Sequence, residues 1–187
     1  MLFVSAVPEE LGDLPGASLG VGPVVAAARM AALLVERRPS AVVMIGTAGA
    51  YAGGPEIGSV VAASRCGLSH GVAVMGLGYV PRPPEDVPCA PELLERLSDL
   101  PRYGVLTVGA VTTDTVLAGR LSDGWEVEHM ETFGAACACA QHGVPFLAVL
   151  GIANEVGPEA HLQWLSNRKL AQDAARDAVR ALLGEPS

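Results

Sequence analysis

The chain has 187 residues, of which 50% are hydrophobic, only 4% aromatic and 17% charged. That length suits a single domain over residues 1–187, with roughly 70% of its unfolded surface buried around Ala, Val and Leu, and the composition excludes a disordered chain. A net charge of -8 argues against a broad nucleic-acid or anionic-membrane surface, because phosphate binding needs clustered Lys and Arg.

Residues 1–7 (MLFVSAV) read as a buried strand ending at Pro8, and residues 17–21 (ASLGV) as a short second strand. Gly22-Pro23 then starts a helix from Val24 to about Arg38, with Pro where its missing N–H costs nothing. AVVMIG at 41–46 has the unbroken apolar character of a central parallel strand. A Gly-rich loop from Thr47 to Pro55 and a strand at 57–64 are expected after it. Residues 71–77 suggest another strand. Residues 81–91 hold five prolines and read mostly as loop. PELLERLSDL is a short helix. A strand at 103–111 follows, and Thr113 or Asp114 is placed to cap a helix reaching about Leu121.

A helix is expected from Glu128 to His142, where Gly134, Ala135, Ala136, Ala138 and Ala140 permit close approach to a sheet. PFLAVLGIA at 145–153 is a further buried strand. The last helix runs from about Ala160 to Leu183, with Leu162, Leu165, Leu170, Ala174, Val179 and Leu182 approximating one apolar face. The alternation of strand and helix, with apolar strands throughout, gives an α/β fold whose mostly parallel sheet is covered on both sides.

The opening segment lacks a basic stretch and turns acidic within ten residues, which argues against a secretory signal. No apolar run reaches transmembrane length without interruption. Cys66, Cys89, Cys137 and Cys139 read as small buried thiols in a reducing cytoplasm. Cys137, Cys139 and His142 offer only a superficial metal pattern.

In open α/β sheets, ligands bind outside the carboxyl ends of the strands. The polar residues there are Glu9, Glu10, Thr47, Thr113, Asp114, Asn154 and Glu155. Glu10 suits a general base in a closed pocket. On a helix, Glu128 and Glu131 would share a face, and a Glu131 carboxylate aimed into a cleft could accept from two vicinal hydroxyls of a ribose. GTAGAYAGG at 46–54 offers backbone N–H groups. GVGPVV at 20–25 lacks the third Gly of a dinucleotide fingerprint. The four histidines read as surface residues.

Taken together, SAVPEE (5–10), GVGPVVAA (20–27), IGTAGAY (45–51), TTDTVL (112–117), VEHMETFGAACACA (127–140) and GIANEVG (151–157) resemble the purine nucleoside phosphorylase and nucleosidase superfamily. AVPEE, GVGP, the Glu-x-Met-Glu of EHME, and NEVGP with Trp164 soon after are most similar to its futalosine hydrolase branch. The resemblance implies a three-layer α/β/α fold with a mixed, mostly parallel central sheet. It implies release of hypoxanthine from futalosine within menaquinone synthesis, in the cytoplasm, by a homodimer that needs no metal or cofactor.

The resemblance also implies roles. Glu10 would activate the attacking water, and Glu131 would bind the ribose while Met130 packs against it. Thr47, Ala48 and Gly49 would lie near the water and sugar. Thr113, Asp114 and Val116 would border the base, and Asn154 would recognise it. Asn cannot protonate N7, but its amide can donate to N7 or to a 6-oxo group, which suits hypoxanthine better than adenine. The glycine loops have no Arg until Arg29, which favours water over phosphate as nucleophile. Methylthioadenosine/S-adenosylhomocysteine nucleosidase activity and catalytically inert nucleoside binding are the alternatives. The chain departs from the superfamily in having only about ten residues between Glu10 and the Gly20 loop.

Overall fold

The computed structural model describes residues 1–183, so the last four residues of the expected domain lie outside the described part. In chain order the first half contains β1 (Leu2–Ser5), α1 (Pro8–Leu11), β2 (Gly16–Ser18), α2 (Pro23–Arg37), β3 (Val42–Ala50), β4 (Val60–Leu68) and α3 (Gly71–Val74). Then come β5 (Val87–Pro88), α4 (Pro91–Glu95), β6 (Arg102–Thr107), α5 (Thr115–Leu121), β7 (Val127–His129), α6 (Thr132–Gln141), β8 (Phe146–Glu155) and α7 (Ala160–Arg180). Among the described residues, no helix is long and apolar enough to cross a membrane.

The eight strands form one mixed sheet. Parallel pairing joins β1 to β2 and β3, β3 to β8, β4 to β6, and β6 to β7. The antiparallel pairs are β3 with β7, β4 with β5, and β4 with β8. The strands β3, β8, β4, β6 and β7 thus close a ring that returns to β3. This leaves β2 and β5 outermost, with only three and two residues, too short to template pairing with another chain.

The expected mixed, mostly parallel α/β architecture is present; its closure into a ring is not legible from apolar runs. Both faces of β3 and β8 are buried, so their sequences are apolar without alternation. Helix α6 packs on α2 and on several strands, whereas α7 lies along β8 and β3.

Several local expectations are corrected. The segment from Thr47 is not a loop at once: β3 runs on to Ala50, because it is paired with β8 on one side and β7 on the other. The strand expected at 57–64 starts at Val60 and runs to Leu68. Ser59 instead turns back to Glu56, through both its N–H and its hydroxyl. Residues 71–74 are a helical turn rather than a strand, held by N–H groups of Ala73 and Val74 on the His70 carbonyl. β6 stops at Thr107. The helix expected from Glu128 starts at Thr132, because Glu128 and His129 extend alongside β6. Glu128 and Glu131 therefore do not share a helical face.

The apolar face expected for α7 is also wrong in part. Leu162, Leu165 and Leu170 are exposed, and the stripe that meets the sheet is Ala160, Ala171, Ala175 and Val179, with Leu182 beyond it. Close approach is the reason. A Cβ on Gly151 of β8 would lie 2.1 Å from the Ala171 carbonyl oxygen, so helix and strand touch backbone to backbone and leave no room for leucine.

Candidate active site

A cleft of about 380 Å³ opens at the carboxyl ends of β1, β3 and β8, where parallel strands leave room for a ligand. Glu10, Thr47, Ala48, Gly49, Met130, Glu131 and Asn154 all line it.

Glu10 reaches the cleft through α1. Pro8 and Glu9 are exposed, whereas Glu10 is 6% exposed. Its Oε2 accepts the backbone N–H groups of Ala6 and Val7, at 3.1 and 3.4 Å. Its Oε1 accepts the Thr47 N–H at 3.0 Å and the Thr47 hydroxyl at 3.4 Å. Burial pushes the carboxyl above its ordinary value, and the backbone bonds partly offset that rise. Trp164, from α7, donates its indole N–H to Thr47 Oγ1 at 3.0 Å and so fixes the hydroxyl beside Glu10.

Glu131 stands at the start of α6 and is buried. Its Oε1 accepts the Gly22 N–H at 2.7 Å. Gly22 has φ of 94°, a left-handed conformation that favours glycine, and it begins α2. The carboxylate thus meets the positive end of a helix. Burial raises its pKa, and the Gly22 bond opposes that. Met130 is half-buried beside it.

Asn154 owes its position to a β-bulge. Ala48 pairs with Ile152, but Gly49 pairs with Asn154, so Ala153 is an extra residue in β8. Such a bulge re-aims the side chain after it. The Asn154 Nδ2 donates to the Glu155 carbonyl at 2.9 Å. Its other amide hydrogen and its Oδ1 have no protein partner among the described residues.

Not every expected site residue comes into this cleft. Thr113 lines a neighbouring depression with His70, Met75 and Leu117. The Asp114 carboxylate is occupied as the cap of α5, accepting the Leu117 N–H at 2.8 Å. Val116 is exposed on that helix. The segment before α5 meets the cleft through Val111 instead.

Two lining residues escape a reading based on helical spacing. Glu128 accepts the Tyr51 hydroxyl at 2.9 Å and the Thr112 N–H at 3.0 Å, tying β7 to β3 and to the segment before α5. His129 is buried rather than a surface histidine. Its Nδ1 accepts the N–H groups of Glu131 at 3.1 Å and Thr132 at 3.3 Å, the first amides of α6. Thr107 Oγ1 accepts the next one, from Phe133, at 2.8 Å. The signal for both residues was the segment WEVEH, whose last three residues pair as a strand.

Nδ1 of His129 also lies 3.3 Å from Glu131 Oε2, but this is not an ion pair. Its lone pair already accepts from the backbone, and burial lowers the imidazole pKa to about 4. This has a consequence for stability. The folded value is below the ordinary 6.5, so the unfolded chain binds the proton more readily, and stability falls as pH drops from 6.5 through about 4. The stability lost across that interval is on the order of 3 kcal/mol. Thermal unfolding between pH 7 and 4.5 is expected to show a smaller fall in Tm for His129→Asn than for the parent; equal falls would refute the neutral assignment.

The family model described as the phosphorylase superfamily matches residues 16–184. A futalosine hydrolase from Streptomyces coelicolor is 33% identical over 180 residues, spanning 87% of this chain and 75% of that protein. One from Thermus thermophilus is 31% identical over 180 residues, spanning 89% of this chain and 79% of that protein. Among solved structures, a methylthioadenosine/S-adenosylhomocysteine nucleosidase from Neisseria meningitidis in complex with methylthio-immucillin-A superposes with a TM-score of 0.86. It is 17% identical, with 97% of each chain covered, and supports the fold.

Proposed function

The chain belongs to the phosphorylase superfamily, and from that premise we propose that it is an N-ribosyl hydrolase that releases hypoxanthine from futalosine. One observation carries the reading: Glu10, Glu131 and Asn154 converge on a single cleft whose described lining brings carboxylates and no Lys or Arg. A phosphate nucleophile beside buried carboxylates would be strongly repelled, whereas water is not. The two futalosine hydrolases among the relatives support the choice of substrate.

In this reading Glu131 accepts from the ribose hydroxyls and Met130 packs on the sugar. The C1′–N9 bond lengthens, and the ribosyl centre gains oxocarbenium character. Its positive charge is stabilised by the nearby carboxylates. Water attacks C1′ and gives its proton to Glu10, whose raised pKa makes it a stronger base. The bonding pair leaves on the purine. Asn154 donates to N7 or to the 6-oxo group, and solvent completes the protonation. Thr47, Ala48 and Gly49 shape the wall beside water and sugar. Val111 lines the cleft and borders the base in this reading, whereas Thr113 lines the adjoining depression that shares Val111 with it.

We assign the working form to a cytoplasmic homodimer acting in menaquinone synthesis, with the second copy closing the cleft rim where Val21 and Val111 are exposed.

The test is base release from futalosine, inosine and methylthioadenosine in phosphate-free buffer, resolved by chromatography. Hypoxanthine from futalosine alone is expected. Adenine from methylthioadenosine would favour the nucleosidase activity, release only after phosphate is added would favour phosphorolysis, and no release would leave nucleoside binding. Asn154→Asp is expected to move the kcat/KM ratio toward adenine nucleosides by about tenfold, the worth of one hydrogen bond. An unchanged base preference would remove Asn154 from base recognition.

A further inference from the structure

We infer that His129 is a positioning residue that presents a fixed Nε2–H donor to the water activated by Glu10, and so sets the direction of attack on the sugar. The inference rests on the hydrolase reading.

The tautomer comes first. Nδ1 of His129 accepts two backbone N–H groups, from Glu131 and Thr132, so it carries no hydrogen. The neutral ring must then hold its hydrogen on Nε2. The ring cannot swing away, because it is 5% exposed and its Nδ1 is tied to the first turn of α6. Among the described residues, Nε2 donates to no protein acceptor.

The place where that donor points comes next. His129 lines the cleft together with Glu10. Between them lies Gly46 of β3. A Cβ on Gly46 would sit 3.2 Å from His129 Nε2 and 3.2 Å from Glu10 Oε1. The two side chains therefore flank one bare stretch of backbone, close enough to share a single water. Any side chain at position 46 would crowd both atoms.

One water can serve both groups without conflict. It donates one hydrogen to Glu10 Oε1 and accepts one from His129 Nε2. Its remaining lone pair is free to attack C1′. As the C1′–O bond forms, the C1′–N9 bond breaks with its electron pair on the purine, and the water's proton passes to Glu10. The imidazole stays neutral and transfers no proton. A preformed donor at a reacting atom costs no reorganisation when the reaction occurs. The same ring fixes the backbone of Glu131, so one residue sets both the nucleophile and the carboxylate assigned to the ribose.

The two nitrogens can be separated by substitution. Asn at position 129 places an acceptor where Nδ1 lies but does not reach the place of Nε2. Gln reaches that place but abandons the α6 amides. His129→Asn is expected to keep its Tm within a few degrees, lose roughly 10²-fold in kcat and hold KM nearly constant. His129→Gln is expected to lose Tm yet retain more kcat than His129→Asn. A purely structural role would give the reverse order.

A folded His129→Asn with kcat within about threefold of the parent would overturn the inference. Nitrogen-15 NMR of the parent protein at neutral pH provides a check that does not depend on any variant folding. A hydrogen on Nε2 supports the inference, and one on Nδ1 overturns it. Parent protein that releases no base from any of the three nucleosides would overturn the hydrolase reading and this inference with it. Release by the parent with an unimpaired His129→Asn would overturn the inference alone.

Discussion

Glu10→Gln is expected to lower kcat by at least roughly 10³-fold, combining loss of the general base with loss of a negative charge beside the developing cation. The fold is expected to survive, for reasons that can be weighed. A buried carboxylate whose pKa is raised costs stability at neutral pH, so removing its charge is favourable. Against that, both oxygens accept backbone N–H groups, Oε1 from Thr47 and Oε2 from Ala6 and Val7. The glutamine NH₂ must therefore face a donor on one side, which leaves hydrogens opposed. These effects have opposite signs, so Tm is expected to move by only a few degrees. Single-turnover base release and thermal unfolding on the same preparation test both statements. A variant with kcat within tenfold of the parent would remove Glu10 from the proton transfer. A Tm drop beyond about 10 °C would mean that the carboxylate is chiefly structural.

Gly151→Ala is expected to be among the most destabilising single methyl additions to this chain. The added Cβ would lie 2.1 Å from the Ala171 carbonyl oxygen and 2.6 Å from its carbon. Those are backbone atoms of a long helix, so no side-chain rotation relieves the overlap, and α7 must lift from β8. A cost of about 3 kcal/mol is expected, which for a chain of this size lowers Tm by roughly 6–12 °C. Gly119→Ala is the control. Gly119 lies in α5, where a Cβ meets nothing within 4 Å, so alanine there should hold or raise Tm through helix propensity. Denaturant unfolding of both variants decides the matter; equal stabilities would show that α7 is not seated as closely as described.

Much of this architecture could be read from the residues, and the failures share causes. Apolar runs located β1, β3, β6 and β8, and Gly22-Pro23 located the start of α2, because burial on both faces and helix-start chemistry leave local marks. Glu10 stands just past β1 and Asn154 near the end of β8, where parallel sheets bind ligands, so position along the apolar runs was enough to single them out; Thr47 lies within β3 and Glu131 at the start of α6, where that rule does not reach. The ring closure left no local mark, since antiparallel pairing of β7 with β3 depends on residues distant in sequence. That pairing kept Glu128 and His129 extended, although the small residues after them read as helix. On α7, leucine spacing outweighed alanine spacing in the reading. The close seat on Gly151 reverses the preference, because only small side chains fit between helix and strand. Of the two residues expected to cap α5, Thr113 or Asp114, it is Asp114 that does so, accepting the Leu117 N–H.

The position of β8 in the ring also dictates when this protein can become itself during synthesis. β3 and β4 follow one another in the chain, yet they are not partners. β8 lies between them, parallel to one and antiparallel to the other. Among the described strands it is the last to leave the ribosome. Until it does, two long strands have unsatisfied edges, and Asn154 and the seat for α7 do not exist. Folding here is therefore an insertion event late in translation, dominated by contacts between distant segments, which is a slow class of folding. A nascent chain stalled before Phe146 would offer exposed edges to other chains.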